Sequence, residues 1–416
     1  MIIRTRFATA TAVAAALALA APQAAPSAAA VPAAPGARSA PSDGSGPGVP
    51  AASRPAPLRT SPRAVPGRYI VTLDKRLDAG TFAEELDLKP SFVYGRALNG
   101  FAVPLTLAQL KTVRNALGVA AVEEDSVVSV ASPAGAAGAL SAPAASWGLD
   151  RIDQRTLPLD GGFTTAGDGT GVDAYILDTG IEYGHAEFGG RASLGYDAVG
   201  DGRAGADCQG HGTHVAGTVA GATYGVARGA RLFSVRVLGC DGNGSWSGVL
   251  AGMDWIARNA RRPAVMNASL GGPSSEAVDR AATSVAAAGV LPVVAAGNSA
   301  VDACDVSPAR AEGVVTVGAT DRQDQETSFS NFGACLRLYA PGQAIVSAKL
   351  GGGGVARNGT SMAAPHVAGV AALHLQAHPE AGVAEVTAWL DETSTKGVLK
   401  NVSPSSPDKL LFTDAS

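Results

Sequence analysis

Leu291-Pro292-Val293-Val294-Ala295-Ala296-Gly297-Asn298-Ser299 is the stretch that decides the fold. An uncharged, apolar run enters a glycine and then an asparagine. A strand with no polar alternation cannot leave one face in water. The run therefore predicts a buried strand of a parallel sheet, covered by helices on both sides. The Gly-Asn turn falls at the strand's C-terminal end, the edge along which open α/β sheets keep their sites.

The same pattern extends outward on both sides. Further strands are read at 172–177, 192–196, 231–237, 265–269, 314–319 and 338–340, and helices at 213–221, 245–260, 274–288, 361–378 and 383–393. Their alternation predicts one α/β domain over 145–412: a three-layer fold with a mostly parallel central sheet.

The chain has 416 residues, of which 46% are hydrophobic and 16% charged, with a formal charge of −4. That balance gives no reason to expect nucleic acid or an anionic membrane as a partner. Arg4 and Arg6, the apolar run 7–20 and the small residues Ala18-Leu19-Ala20 read as an export signal over 1–21. The run is too short to span a bilayer. Residues 22–66 are rich in Ala, Pro, Ser and Gly and are read as a disordered spacer. Residues 67–131 read as a small α+β domain of βαββαβ order: a strand at 68–73, a helix at 78–86, a strand at 92–104 turning at Asn99-Gly100, and a helix carrying Leu107, Leu110, Val113 and Leu117. A last strand pair follows at 119–130, turning at Glu123-Glu124-Asp125. A small-residue linker follows at 132–144.

Three glycine-flanked segments carry chemistry: Leu177-Asp178-Thr179-Gly180, Gly210-His211-Gly212-Thr213-His214 and Gly359-Thr360-Ser361-Met362-Ala363-Ala364-Pro365. Taken singly, Asp178 is a turn residue, His211 a structural histidine and Ser361 a helix cap. Together they supply acid, base and nucleophile in a known chain order for a catalytic triad. A serine hydroxyl attacks only when an imidazole takes its proton, and a buried carboxylate holds that imidazole in the right tautomer. His214, one turn deeper, is the rival base. Ser361 at a helix start offers its own N–H to a developing oxyanion, Asn298 offers a side-chain donor, and Gly359 permits the tight turn. Pro365 is read as lying in the first helical turn, where its missing donor costs little.

These motifs, with Trp147-Gly148-Leu149-Asp150-Arg151-Ile152-Asp153-Gln154, Ser269-Leu270-Gly271-Gly272 and Ser328-Phe329-Ser330-Asn331, resemble the subtilisin family of serine endopeptidases, proteinase K–aqualysin branch. The resemblance runs from about 147 to 412 and implies the subtilisin-like fold. It implies that Asp178, His211 and Ser361 are catalytic with Asn298. It implies that a peptide lies between Gly242, Gly244 and Trp246 on one side and Ser269, Leu270 and Gly271 on the other, gripped through its main chain. Ala295, Ala296 and Gly297 match a wall of the primary pocket, and Trp246 borders the fourth subsite. Small, uncharged walls suggest apolar or aromatic residues before the cut. By the same resemblance 67–131 is an inhibitor-type propeptide, and self-cleavage is expected between about 130 and 141.

Four cysteines, Cys208, Cys240, Cys304 and Cys335, allow three pairings and suit an oxidising compartment. Sequential pairs would close loops of about thirty residues, each stabilising by about 3–4 kcal/mol. The resemblance favours the sequential pairs 208–240 and 304–335. It also implies structural calcium at Asp150, Asp153 and Gln154, with Asp160 as a further ligand. Asp197 and Asp201 form a second, weaker candidate. Arg337 stands where proteinase K has a strong-site carboxylate, so that site is expected to be missing. The expectation is a secreted, monomeric, autoprocessed endopeptidase of broad specificity, needing no cofactor for catalysis. The alternatives are a narrow-specificity processing protease and an inactive relative serving as a binding module. An α/β-hydrolase esterase is disfavoured, because Gly-x-Ser-x-Gly is absent around Ser361.

Overall fold

Nine strands form the central sheet, in the order Thr395–Lys396, Lys409–Leu410, Leu338–Pro341, Val315–Thr320, Leu291–Ala295, Ala264–Ala268, Asp173–Asp178, Arg231–Arg236 and Ala192–Asp197. Every neighbouring pair is parallel except the first. The computed structural model describes residues 54–131 and 146–414. The expected export signal and the 132–144 linker lie outside the described residues. Among those described, no helix is long and apolar enough to cross a membrane.

The apolar run Leu291–Ala295 sits mid-sheet, between Ala264–Ala268 and Val315–Thr320. Val293 and Ala295 point to the core shared with the helices His211–Ala220 and Thr360–Ala377, while Val294 points to the core shared with Trp246–Asn259 and Glu276–Ala287. Successive side chains of a strand face opposite ways, so burial on both faces demands an unbroken apolar run. The helix Thr360–Ala377 is buried almost all round, as its Ala/Val/Leu composition requires.

Pro365 departs from expectation. It is the sixth residue of that helix, beyond the first turn. Its missing N–H leaves the Ser361 carbonyl without a helical donor. The Ser269 hydroxyl fills the gap at 2.9 Å, tying the Ser361 backbone to the neighbouring strand end.

The small N-terminal domain and the large one belong to one compact unit. The strands Ala64–Leu73, Phe92–Tyr94, Gly100–Pro104 and Val119–Val130 and the helices Ala79–Glu85 and Leu107–Asn115 follow the expected βαββαβ order. Asp78 caps the first helix, and a Thr106–Gln109 capping box starts the second.

Two expectations fail here. The segment 119–130 is one twelve-residue strand, not a pair turning at Glu123-Glu124-Asp125. Two of its three acids are not solvated. Glu123 and Asp125 are buried against the starts of two helices of the large domain. The spacer was expected to run to 66, but Arg54 to Pro66 is structured. Leu58–Arg59 pairs in parallel with Val122 and Glu123, and Ala56 is buried. The strand 119–130 gives this low-complexity segment an edge to pair with, which composition cannot reveal.

Candidate active site

Asp178 ends the strand Asp173–Asp178, fully buried. His211 opens the helix His211–Ala220. The His211 ring meets the carboxylate with Nδ1 at 2.8 Å from Oδ1 and 3.0 Å from Oδ2. Nδ1 therefore carries the proton it donates, and Nε2 is left as the basic nitrogen. Nε2 is buried without a hydrogen-bond partner among the described residues. Close packing brings the two turns together: a Cβ on Gly212 would lie 2.2 Å from the Gly180 carbonyl.

Asp207 organises this junction. Its Oδ1 accepts from Thr179 Oγ1 at 3.0 Å and from Gln209 and Gly210 N–H at 2.9 Å, and its Oδ2 accepts from Thr213 N–H and Oγ1 at 2.9 and 2.7 Å. Thr179 Oγ1 accepts in turn from Gly212 N–H at 2.9 Å. One buried carboxylate thus joins the Asp178 turn to the His211 helix. The sequence reading passed over it; an acid four residues before the histidine was the available signal. The Cys208–Cys240 disulfide ties this same loop to the rim at Gly242.

His214 is not placed as a base. Its Nε2 shares a proton between the carbonyls of Ile345 and Val355, at 3.1 and 3.0 Å. Burial, helped by the charges of Arg357 and His211, pushes its pKa down to about 3. It is a neutral structural ring.

Ser361 follows Gly359, whose φ of +142° suits only glycine. Its Oγ donates to the carbonyl of Ala131 and also lies 3.1 Å from that of Ser269. Asn298 Oδ1 accepts from Thr360 N–H and Oγ1 at 2.8 and 3.0 Å, which fixes the amide's orientation. Its Nδ2 is left buried, without a hydrogen-bond partner among the described residues. Thr360, unremarked in the sequence, is what aims that donor.

The C-terminal half of the strand Val119–Val130 lies in the cleft between the two expected rims. Val127, Val128 and Ser129 pair antiparallel with Ser245, Gly244 and Asn243, and Ser129 and Val130 with Gly271 and Leu270. Val130 N–H donates to Gly242 O at 3.0 Å and Ala131 N–H to Ser269 O at 3.1 Å. Trp246 is buried, its Nε1 donating to Pro273 O at 3.1 Å. A Cβ on Gly272 would lie 3.0 Å from Trp246 Cζ2 and 3.2 Å from Val128 Cγ1, so Val128 and Trp246 both pack against this glycine. Beside Ala131 lies a cavity of about 300 Å³ walled by Ala295, Ala296, Gly297, Gly271 and Gly272; Arg63 of the small domain is the one charged residue lining it among the described residues.

The small domain grips two helix starts. Glu123 accepts from Ser275 Oγ at 2.8 Å and Ala277 N–H at 3.1 Å, and Asp125 accepts from Ser247 N–H and Oγ. In return, Asp254 Oδ1 accepts the N–H groups of Gly95, Arg96 and Ala97.

The expected calcium ligands are gathered in one loop. Asp150 accepts from the N–H groups of Asp160 and Gly161, Asp153 from Thr164 N–H, and Gln154 Oε1 from Asp160 N–H. The donor chemistry suits a hard cation. Burial, with the charges of Asp160 and Asp150, raises the Asp153 carboxyl, a repulsion that a cation would relieve. As folded, however, no group of three acids converges on one point among the described residues. Asp197 and Asp201 do not read as a second site. The Arg236 guanidinium already lies between them, at 2.6 and 2.8 Å from Asp201 and 3.3 Å from Asp197. Arg337 pairs with Asp391. Cys304 and Cys335 form the second disulfide.

Residues 169–407 match the Subtilase family, and residues 68–131 match Peptidase inhibitor I9. An extracellular serine proteinase of Thermus sp. is 46% identical over 392 residues, covering 87% of this chain and 94% of that protein. Proteinase T of Parengyodontium album is 44% identical over 298 residues, covering 70% and 97%. The crystal structure of a cold adapted subtilisin-like serine proteinase superposes with a TM-score of 0.64 at 48% identity, covering 66% of this chain and all of that one.

Proposed function

We infer the function of this chain from one premise: it belongs to the subtilase family of serine proteinases, with an I9-type propeptide ahead of the catalytic domain. It is a peptidase. Our finer reading is that it is exported, cuts its own precursor between Ala131 and Ser132, and then hydrolyses proteins broadly after apolar residues. The observation that carries this reading is the Ala131 carbonyl lying against Ser361 Oγ at the end of a strand bound as a peptide substrate.

In the proposed reaction, His211 Nε2 takes the Ser361 proton as Oγ bonds to the Ala131 carbonyl carbon. Asp178 steadies the imidazolium. Ser361 N–H and Asn298 Nδ2 receive the oxyanion. The bond to the Ser132 nitrogen then breaks, and His211 returns the proton to that nitrogen. Water, activated by the same imidazole, releases Ala131 as a carboxylate. The propeptide strand keeps its pairs with the Asn243–Ser245 and Leu270–Pro273 segments after cleavage, so it remains in the cleft as an inhibitor.

Three further points belong to the same reading. Uncharged enzyme walls around the cavity beside Ala131 favour apolar side chains there. Two disulfides and a relative named extracellular favour export. A calcium ion would have to draw Asp150, Asp153, Gln154 and Asp160 together from their present backbone partners, and would then steady the loop without joining the chemistry.

The test has three arms. Fluorophosphonate labelling reports whether Ser361 is an activated nucleophile, and casein digestion reports breadth. N-terminal mass spectrometry should find Ser132 as the mature start, with a Ser361→Ala chain remaining uncut. No labelling would leave a binding module. Maturation of the purified Ser361→Ala chain would assign processing to another protease. A library preference for Arg or Lys before the cut would overturn the apolar specificity.

A further inference from the structure

The far end of the serine helix holds a feature that the peptidase reading does not use. Leu373-His374-Leu375-Gln376-Ala377-His378 places two imidazoles four residues apart, the second on the residue that caps the helix and donates its N–H to the His374 carbonyl. Their ring centroids are 4.6 Å apart. His374 stacks on Trp389 at 4.1 Å with planes 21° apart, which fixes its ring. His374 Nε2 is buried and has no hydrogen-bond partner among the described residues. A buried polar atom without a partner is costly and calls for a reason. Both rings line a cavity of about 410 Å³ with Gln376, Trp389 and Asp414.

We propose that His374 and His378 chelate one divalent transition-metal ion of the zinc, nickel or copper class at the C-terminal end of this helix. Imidazoles spaced i, i+4 on a helix can ligate a single ion from one side. Nitrogen ligands select these ions over calcium or magnesium. The helix terminus carries the negative end of its dipole, which favours a cation. Glu385 lies within electrostatic reach of His374, and Asp414 adds a carboxylate to the cavity wall. No cluster of three or more His, Cys, Asp or Glu gathers among the described residues, so water completes the coordination sphere. At 1.5 Å per residue, His374 lies about 20 Å along the helix from Ser361. The ion therefore stabilises the helix end and leaves the peptidase chemistry alone.

The test uses the full chain carrying Ser361→Ala, so that it does not digest itself, with Ni²⁺ as the probe. Calorimetry should find one Ni²⁺ per chain. Binding should raise the melting temperature and quench Trp389 fluorescence, a signal that Trp389→Phe removes while binding remains. His378 is exposed, so His378→Gln should fold normally and weaken binding about tenfold or more. His374→Gln should do the same and abolish the quenching. Absence of saturable binding, or undiminished affinity in both Gln variants, would assign any residual Ni²⁺ to other histidines and overturn the proposal.

Discussion

Asp125 and Ser247, 122 residues apart, are joined by two hydrogen bonds: Ser247 N–H donates to Oδ1 at 3.0 Å and Ser247 Oγ to Oδ2 at 2.6 Å. The propeptide strand thereby caps the helix Trp246–Asn259, at the point where that helix leaves the substrate rim. The pair is fully desolvated. Removing the carboxylate takes the acceptor from the buried N–H groups of Ser247 and Ser126 and from Ser247 Oγ, at a cost of about 1–3 kcal/mol. Asp125→Ala should therefore lower the stability of the Ser361→Ala precursor by that amount in urea unfolding. It should leave the isolated mature enzyme, which lacks residue 125, unchanged. An unaltered precursor midpoint would show that the cap is energetically idle.

Asp207 is expected to position catalysis rather than perform it. Asp207→Asn keeps the shape but turns an N–H₂ toward the donors of Thr213 or of Gln209 and Gly210. Loosening His211 relative to Asp178 should lower kcat about 10²-fold with KM little changed. Active-site titration would count correctly folded enzyme. If kcat per titrated site were unchanged, the network would be purely structural.

What could be read from the sequence followed from local periodicity. The helix Val383–Thr393 falls where its pattern predicts, and each core strand lies within a residue or two of its apolar run. The segments around Asp178, His211 and Ser361 stood out because glycines and chemistry-bearing residues recur within a few positions. Glu123, Asp125 and Arg236 were not. An acid run reads as a solvated turn until helix starts more than a hundred residues away supply donors, and two aspartates read as a cation site until an arginine fills it. Leu58 and Arg59 likewise became a strand only because residues 122–123 offered an edge. Partnerships distant in sequence leave no periodic trace.

Asn298→Ala should cost about 10²–10³ in kcat, a magnitude carried over from an oxyanion asparagine of subtilisin. KM should hold, because Nδ2 meets charge only in the transition state. Thr360→Val should show a smaller loss of the same kind, since Thr360 Oγ1 helps to aim the amide. Equal losses in kcat and in ground-state binding would place Asn298 outside the oxyanion hole.

Calcium removal tests the Asp150–Asp160 loop. A chelator should lower the melting temperature of the mature enzyme, and Asp153→Asn should lower it in advance and abolish the chelator's effect. If the Asn variant kept full chelator sensitivity, any bound ion would sit elsewhere.

The propeptide interface should also answer to pH through Glu123. Burial raises this carboxyl above its ordinary value of 4.5, against the opposing pull of the Ser275 hydroxyl, Arg59 and the Ala277 N–H. A raised acid holds its proton in the folded precursor at a pH where the unfolded chain has released it. Its contribution to stability is therefore full below pH 4.5 and is lost as pH rises through the raised value. Other buried acids, Asp279 among them, titrate in the same direction, so the raw slope does not isolate one group. Comparison with Glu123→Gln does. The amide of that variant keeps an acceptor for Ala277 N–H but has no proton to lose, so the melting temperature of the Ser361→Ala precursor should fall less steeply above pH 4.5 when it is present. Parallel melting curves for the two chains across that range would mean that Glu123 does not couple protonation to the propeptide's grip.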